Sequence, residues 1–210
     1  MKFLICGIGS AGQRHYKNLT SLGHQLALFR TGGGANAPFI EKFLSEESSA
    51  GRNVKSYGNL KDAIEDFRPD AVFITNPNSK HLETALLAAR SGCNLFIEKP
   101  LSHTRVGLEE LQALAEEKNL KIMIGYNLRQ HPLLIKMKTM VAEGLIGQPL
   151  CANIEMGENI EDWHPWEDYR QTYAAYKDGG GGAVVCFSHD IDSMYWFFGM
   201  PEKIHAVGGK

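Results

Sequence analysis

The sequence predicts an α/β chain: a Rossmann-type, doubly wound parallel sheet, then the start of an α+β domain with a mainly antiparallel sheet. Three observations predict this. Short apolar runs alternate with helical patterns between residues 2 and 124, which is typical of a parallel sheet. The first run ends in a G-x-G-x-x-G string that opens a helical pattern. Beyond residue 125 the alternation stops and the pattern changes.

The first strand, residues 2–6, leads directly into the glycine string 7–12. Strand, glycines and helix in this order are typical of a dinucleotide-binding turn. Gly7 permits the tight turn, Gly9 lets the backbone approach a pyrophosphate, and Gly12 lets the helix pack close to the strand. Ser10 and Ala11 begin the helix, where unpaired N–H groups attract an anion.

The remaining elements of the first domain follow from apolar runs, helix caps and stops. Asn59 opens a helix that ends before Pro69, and Gly92 stops another. A glycine-rich loop is predicted at 31–34. Further strands are predicted at 25–29, 54–57, 70–75, 94–97 and 121–124, and helices at 13–22, 38–47, 59–68, 79–91 and 104–119.

The second domain is predicted to begin at residue 125, so that residues 1–124 bind the dinucleotide and 125–210 form a substrate and dimerisation domain. Helices are predicted at 132–144 and 188–198, and strands at 150–156 and 203–207. An acidic, aromatic, irregular stretch lies between them. Two strands make an incomplete sheet, so we expect the chain to be truncated.

Composition excludes several classes of protein. The 210 residues carry a net charge of −2 with no basic run, so a nucleic-acid or acidic-membrane partner is not indicated. No apolar stretch is long enough to span a membrane. The four cysteines form no C-x-x-C pair and lie in apolar stretches, which predicts buried free thiols in a reducing cytoplasm and argues against a zinc ribbon or a redox dithiol. His189, Asp190 and Asp192 could bind a metal, but no further ligand cluster supports this, so no metal centre is predicted.

Polar motifs follow two of the strands. Glu98-Lys99-Pro100 comes after strand 94–97, and Thr75-Asn76-Pro77 after strand 70–75. Open α/β sheets bind ligands at the carboxyl ends of their strands, so both motifs are expected beside the glycine turn. Alternatively, Lys99 is simply an exposed loop lysine.

Together the motifs resemble the Gfo/Idh/MocA family of NAD(P)-dependent oxidoreductases. The resemblance covers almost the whole chain, in family order. It is carried by the segments 7–12, 75–81, 98–100, 125–132 and 188–192. The aromatic segment 162–170 is similar to the branch that acts on sugars of surface-polysaccharide or sialic-acid-like pathways.

The resemblance implies roles for individual residues. Lys99 would be the active-site lysine, followed by a peptide bond that is often cis in the family, and Glu98 would reach the nicotinamide ribose. Tyr126 and Arg129 would lie close to the substrate. The dinucleotide would also be lined by Thr75, Asn76, Pro77 and His81.

The last helix carries a candidate base. At 100° per residue, His189, Asp192 and Trp196 share one face, and Ile191, Tyr195 and Phe198, with Met194, share the opposite, core face. A neighbouring carboxylate can fix the tautomer of a histidine. The polar face could instead be merely solvated, but the resemblance places the catalytic histidine at His189.

One position departs from the family pattern. Many members carry an aspartate three or four residues before this histidine, completing a Lys–Asp–His set, where this chain has Val185 and Cys186. Asp192 could compensate in part. The departure favours a modified mechanism or a weakened enzyme.

Cofactor choice depends on the end of the second strand. An acidic residue there would select NAD, whereas this chain has Arg30 and Thr31. Arg30 could pair with a 2′-phosphate, which favours NADP weakly, or it could stack on adenine with no phosphate present.

The sequence therefore predicts an NAD(P)-dependent oxidoreductase that moves hydride between nicotinamide and a secondary alcohol or ketone of a sugar. The alternatives are a cofactor-binding protein without turnover and a lyase or epimerase that works through transient oxidation. If the protein is full length, a homo-oligomer formed through the second-domain sheet is expected. The candidate sugar contacts, which could instead pack the loop or cover a dimer surface, are Trp163, His164, Trp166, Arg170 and Tyr173.

Overall fold

The computed structural model describes residues 1–31 and 37–208. The chain divides into two compact units. Unit 1 comprises Met1–Gly125 together with Asn159–Cys186, and unit 2 comprises Tyr126–Glu158 together with the chain from Phe187 onward. The segment 159–186, assigned by the sequence to the second domain, thus packs with unit 1. The division into domains at residue 125 stays a prediction.

Unit 1 contains a six-stranded sheet in which every pair of neighbours is parallel. The strand order is β3-β2-β1-β4-β5-β6. This order reverses direction beside β1, so the carboxyl ends of β1 and β4 flank the topological switch point. The predicted doubly wound fold is confirmed. The strands are β1 (Lys2–Cys6), β2 (Gln25–Phe29), β3 (Lys55–Tyr57), β4 (Ala71–Ile74), β5 (Asn94–Ile97) and β6 (Ile122–Ile124).

Helices flank this sheet and continue through the chain. Short 3₁₀ turns occur at Asn78–Lys80 and Asn127–Gln130, and repeatedly between residues 160 and 179. The helices are α1 (Ser10–Ser21), α2 (Ala37–Ser49), α3 (Leu60–Phe67), α4 (His81–Arg90), α5 (Leu108–Glu117), α6 (Pro132–Ala142), α7 (Ala183–Cys186) and α8 (Ser188–Phe198).

The sheet has one apolar core on each face. Alternate strand residues such as Ile5 and Leu28 pack with Tyr16 of α1 and Phe43 of α2. On the other face the strands pack with α3, α4 and α5. Side chains of a strand alternate between faces, so near-continuous burial along β1 follows from helices on both sides.

One local prediction differs from the structure, and another lies almost wholly outside the described residues. The helix expected from residue 104 begins only at Leu108, because Gly107 takes φ +94° immediately before it. The glycine-rich loop predicted at 31–34 lies, from residue 32 onward, outside the described residues.

The strands predicted at 150–156 and 203–207 are wrong. Both segments are irregular in the structure, and Leu150, Ile154 and Ile204 are exposed. A strand is stable only when its backbone groups are paired, and within the described residues neither segment has a partner strand. Cys151 is consequently exposed, whereas the other three cysteines are buried free thiols as predicted.

The predicted core face of α8 is also wrong for the described residues. Ile191, Tyr195 and Phe198 are exposed, while Asp192 on the opposite face has a side chain only 10% exposed. The reason is that the polar face of α8 packs within unit 2 through ionic hydrogen bonds. No helix among the described residues has the length and apolar character needed to span a bilayer.

Candidate functional site

The turn after β1 has the backbone geometry that a dinucleotide phosphate needs. Gly7 takes φ +96°, and a Cβ there would lie 2.7 Å from the Asn76 backbone. A Cβ on Gly12 would lie 2.2 Å from the carbonyl oxygen of Gly7. Thr75 Oγ1 donates to that same carbonyl at 2.7 Å. Only glycine fits at positions 7 and 12.

The N-terminus of α1 is open to an anion. Gly9 precedes the helix, no side chain caps it, and its first turn holds no acidic residue. The first N–H groups of the helix therefore keep their capacity for an external acceptor. Beside them, Asn76 Nδ2 donates to Thr84 Oγ1 at 2.9 Å, while Asn76 Oδ1 is buried without a hydrogen-bond partner in the described part of the chain. The turn fits a dinucleotide pyrophosphate.

Arg30 lies at the end of β2, as predicted, but it already has a partner. Its Nη1 donates to Glu41 Oε1 of α2 at 2.6 Å. Thr31 follows and is exposed. A carboxylate therefore lies beside the guanidinium that could pair with a 2′-phosphate.

Lys99 lies directly after β5, on the edge of the sheet that carries the glycine turn. The Lys99–Pro100 peptide bond is cis, as the resemblance implied. Lys99 Nζ donates to the carbonyl oxygen of Cys186 at 2.8 Å. The main chain of Cys186 thus contacts the lysine at the position where an aspartate was expected.

Glu98 is held by the first helix. His15 Nε2 lies 2.7 Å from Glu98 Oε1, and Arg14 Nη2 lies 3.5 Å from the same oxygen. Burial raises the pKa of the Glu98 carboxyl, but His15, by hydrogen bond and charge, and the nearby Arg14 outweigh burial and hold that pKa below its usual range. Glu98 is therefore an anion at neutral pH.

His81 is buried, at 1% exposure, between two loops. Its Nδ1 lies 2.8 Å from the carbonyl oxygen of Pro100, and its Nε2 lies 2.8 Å from that of Asn76. Both ring nitrogens therefore face main-chain acceptors of the motifs after β4 and β5. In this arrangement His81 holds the loops together and offers no nitrogen to a ligand.

The segment 159–186 lies along the same edge of unit 1. Trp166 stacks on Phe39 of α2 with ring centroids 4.4 Å apart and planes 4° apart. His164 Nε2 lies 3.4 Å from Ser10 Oγ in the glycine turn. Asn78 Nδ2 donates to the carbonyl oxygen of Gly180 at 2.9 Å. Two of the predicted sugar contacts, His164 and Trp166, thus touch elements that flank the cofactor turn.

The other predicted sugar contacts in this segment have different surroundings. Tyr173 and Trp163 line a small pocket with His164. Burial, and secondarily the charges of Cys186 and Glu98, raise the pKa of Tyr173 to about 12. Tyr173 therefore keeps its hydroxyl proton. Arg170 is exposed, with its guanidinium over the Tyr169 ring.

In unit 2, Asp192 is engaged by Arg129 through both carboxylate oxygens. Arg129 Nε donates to Oδ2 at 2.9 Å and Nη2 to Oδ1 at 2.7 Å. This pairing raises the pKa of Arg129. The rings of His189 and Tyr126 meet edge to face at 5.7 Å. The fork geometry of the guanidinium matches the Asp192 carboxylate, and the role of Asp192 towards His189 stays a prediction.

Sequence reasoning missed three contributors to the site. His15 is eight residues past the first glycine and makes the shortest contact to Glu98; its position in the second turn of α1 was the available signal. The carbonyl of Cys186 and the ring of Phe39 gave no signal, since a main-chain acceptor and an apolar helix residue are visible only in three dimensions.

Comparison with known proteins gives two family matches and many relatives. The levoglucosan dehydrogenase of Pseudarthrobacter phenanthrenivorans is 27% identical over 154 residues, covering 72% of this chain and 39% of that protein. The structure of myo-inositol 2-dehydrogenase from Lactobacillus plantarum matches with a TM-score of 0.74 at 25% identity, covering 95% of this chain and 56% of that one. Scyllo-inositol dehydrogenase from Lactobacillus casei, solved with NAD(H) and scyllo-inositol, matches with a TM-score of 0.60 at 25% identity, covering 70% and 42%.

The chain spans less than half the length of these curated relatives, 39–41% for the first three. The family model described as "Oxidoreductase family, NAD-binding Rossmann fold" matches residues 1–126. The model of the Gfo/Idh/MocA C-terminal domain matches residues 134–210. The chain belongs to the Gfo/Idh/MocA family of oxidoreductases, whose N-terminal domain is an NAD-binding Rossmann fold.

Proposed function

We propose that the protein is an NAD(P)-dependent oxidoreductase that interconverts a secondary alcohol and a ketone of a sugar or sugar derivative. The observation that carries this proposal is the rim of unit 1. There a glycine turn with an uncapped helix N-terminus lies on the same sheet edge as Lys99. The names of the relatives, a levoglucosan dehydrogenase and two inositol dehydrogenases, support the substrate class.

The dinucleotide would be held by main-chain groups. The N–H groups at the start of α1 would contact the pyrophosphate, and Asn76 with its buried free oxygen would contact a sugar hydroxyl or amide of the cofactor. When bound, the nicotinamide supplies the hydride acceptor or donor. Glu98, an anion beside Lys99, would accept a hydrogen bond from a ribose hydroxyl.

The remaining chemistry belongs to two side chains. Lys99 would donate to the reacting oxygen and stabilise the negative charge that develops there. His189 would take the hydroxyl proton during oxidation and return it during reduction. The bidentate Arg129–Asp192 pair would fix the first turns of unit 2, from which Tyr126 and His189 emerge. His164, Trp166, Trp163, Arg170 and Tyr173 would border the substrate or the cofactor.

We also propose a weak preference for NADP. Arg30 supports it, because a guanidinium at the end of β2 can pair with a 2′-phosphate. The ion pair with Glu41 opposes it, since a phosphate must compete with a carboxylate that the guanidinium already holds.

The experiment is a titration followed by an assay. NAD⁺ and NADP⁺ are titrated into the protein, and a panel of polyols, anhydrosugars, amino sugars and nucleotide sugars is then tested by absorbance of reduced nicotinamide. Steady reduction with any substrate supports the proposal. Product formed without net reduction indicates a lyase or epimerase, and tight cofactor binding with no product from any sugar indicates a binding protein; either result overturns the proposal.

Two variants test the assigned roles. His189→Ala and Lys99→Met are expected to lower turnover at least about a hundredfold while leaving the cofactor Kd almost unchanged. His205→Ala, which removes an exposed histidine, is the matched control. A collapse of cofactor affinity in His189→Ala would contradict its role as a base.

A further inference from the structure

Two histidines from opposite faces of the sheet contact the two residues on either side of Lys99. His15 belongs to α1, which packs on the face lined by Ile5 and Leu28. His81 begins α4, which packs on the other face. Each ring reaches the segment that follows β5, and each contact is a hydrogen bond of 2.7–2.8 Å.

His15 acts on the residue before Lys99. Its Nε2 contacts Glu98 Oε1, and its ring is fixed by aromatic neighbours: the centroid of Phe96 lies 4.9 Å away and that of Phe73 lies 5.5 Å away. A side chain at position 125 would crowd this carboxylate, because a Cβ there would lie 3.1 Å from Glu98 Oε2. The His15 ring therefore holds the Glu98 carboxylate in a position that the glycine at 125 leaves open.

His81 acts on the residue after Lys99. Its Nδ1 contacts the carbonyl oxygen of Pro100, and its Nε2 contacts the carbonyl oxygen of Asn76. One buried ring thereby lies between the loop after β5 and the loop after β4. A neutral ring carries one N–H and donates to only one of these two carbonyls, and we take Nδ1 as the donor, to Pro100. Lys99, between the two restrained residues, directs its ammonium at the Cys186 carbonyl.

We propose that His15 and His81 are a pair of positioning residues, which hold the Glu98-Lys99-Pro100 segment from the two faces of the sheet and so fix Lys99 at the rim. This inference rests on the proposed function only in that Lys99 is taken as the reacting lysine. Neither histidine touches the reacting atoms in this arrangement. Their effect on chemistry passes entirely through the backbone and carboxylate next to Lys99.

The two ring nitrogens allow a test with opposite outcomes at the two positions. A glutamine amide reaches about as far as Nε2 of histidine, and an asparagine amide about as far as Nδ1. His15 acts through Nε2, so His15→Gln keeps its bond to Glu98 and His15→Asn loses it. His81 acts on Pro100 through Nδ1, so His81→Asn keeps that bond and His81→Gln loses it.

The readout is the reactivity of Lys99 in the protein without cofactor. Trace acetylation is quantified by peptide mass spectrometry, with Lys42, whose side chain is 77% exposed, as internal reference. We expect the ratio of Lys99 to Lys42 acetylation to rise about threefold or more in His15→Asn and in His81→Gln, the size of losing one hydrogen bond. It should stay near the wild-type value in His15→Gln and His81→Asn. His205→Gln, at an exposed position in unit 2, is the control for replacing a histidine outside unit 1.

Thermal unfolding identifies any variant that fails to fold, and each position has two variants, so one survivor of each pair suffices for comparison with wild type. If Lys99 reactivity is unchanged in folded His15→Asn and His81→Gln, or if asparagine and glutamine act alike at each position, the two residues have only a packing role and the inference is wrong. The acetylation ratio needs neither cofactor nor substrate. If the protein binds no dinucleotide, the proposed function is therefore wrong, but the acetylation ratio still tests the role of the two histidines.

With substrate in hand, a second readout follows. His15→Asn and His81→Gln should lower kcat by about tenfold with a cofactor Kd within about threefold of wild type, because placement of the lysine affects the chemical step more than binding. A fall in cofactor affinity with unchanged kcat would instead show that the histidines serve the cofactor site.

Discussion

The rim of unit 1 and the start of α8 in unit 2 are built in different ways. At the rim, the backbone defines the site: Gly7 and Gly12 leave no space for a Cβ, and Thr75 bonds to the Gly7 carbonyl. At α8, side chains contribute contacts: Arg129 pairs with Asp192, and Lys138 donates to the carbonyl oxygen of Trp196. A site made of backbone geometry is specified locally and resists change, whereas a site that relies on side-chain pairs is sensitive to their substitution.

The two regions also differ in burial, because the strands that lead to the rim are more buried than the apolar residues of α8. The strands that lead to the rim are almost fully buried, with Ile5, Ile74 and Ile97 at 0% exposure. In unit 2, apolar residues of α8 such as Ile191 and Phe198 are exposed. The rim is therefore expected to keep its shape through substitutions that would loosen the neighbourhood of His189.

The largest expected effect comes from a single methyl group at the rim. In Gly12→Ala the new Cβ would lie 2.2 Å from the Gly7 carbonyl oxygen, so the turn and helix must separate. We expect dinucleotide affinity to fall roughly a hundredfold or more and stability to fall by about 1–3 kcal/mol. Calorimetric titration and urea unfolding measure the two quantities.

Gly58→Ala is the matched control, because a Cβ on Gly58 meets nothing within 4 Å. Its affinity and stability should stay near wild type. Equal behaviour of the two alanine variants would show that the close approach at Gly12 has no functional consequence.

In unit 2, Arg129→Met is expected to destabilise the protein. The variant leaves the Asp192 carboxylate, only 10% exposed, without its bidentate partner. We expect the free energy of unfolding to fall by about 1–3 kcal/mol. This is less than for a fully buried pair, because the Arg129 side chain is 34% exposed. Urea unfolding followed by the fluorescence of Trp196 would measure it in a background without the other tryptophans.

Arg170→Met provides the comparison, since Arg170 is 67% exposed and its ion pairs lie at the surface. Arg170→Met should lower the free energy of unfolding by much less, because surface ion pairs usually contribute little to stability. Should both variants unfold at the same urea concentration, the ion pair would not be what holds the start of α8.

A smaller effect is expected on cofactor choice. Glu41→Gln removes the carboxylate that pairs with Arg30, at a site where both side chains are partly exposed. The ratio of NADP to NAD affinity should rise about two- to fivefold, corresponding to about 0.5–1 kcal/mol for a surface pair. Titrations of both nucleotides into the wild type and the variant measure this ratio. An unchanged ratio would show that Arg30 does not contribute to the cofactor site.

The smallest expected effect is a pH dependence of stability. Burial lowers the pKa of His81 in the folded state, although the carbonyls of Pro100 and Asn76 partly oppose this. The unfolded chain therefore binds the proton more readily, so the stability that the neutral ring contributes is present above pH about 6.5 and is lost as pH falls towards the lowered pKa.

Melting temperatures of wild type and His81→Asn between pH 7.5 and 5.5 measure this effect. The wild type should lose a few degrees more than the variant, which has no titrating group at that position. Parallel curves would show that His81 does not change its protonation in this range.

Much of unit 1 could be predicted from the sequence, because its signals are local. The order of apolar runs gave the six strands, and the glycines at 7, 9 and 12 gave the turn. The Lys99 motif was found because strand ends share an edge. These features depend on neighbours within a few residues, and sequence patterns record such neighbours well.

The rest depended on long-range packing, which no periodicity records. The exposed side of α8 was mistaken for its core face because amphipathic spacing shows that two faces differ without showing what covers each. The spacing of three residues relates Asp192 to His189 but gives no sign of Arg129, which is 63 residues away and binds Asp192. The partners of Glu98 and Lys99, at His15 and Cys186, are likewise distant in sequence.

The central claim is that main-chain amides at the rim of unit 1 hold the pyrophosphate of a pyridine nucleotide beside Lys99. Its most direct test is calorimetric titration of NADP⁺ and NAD⁺ into the wild-type protein and Gly12→Ala. Saturable binding of at least one nucleotide to the wild type, lost in the variant and kept in Gly58→Ala, is the result we predict. No binding of either nucleotide to the folded wild-type protein would contradict the account.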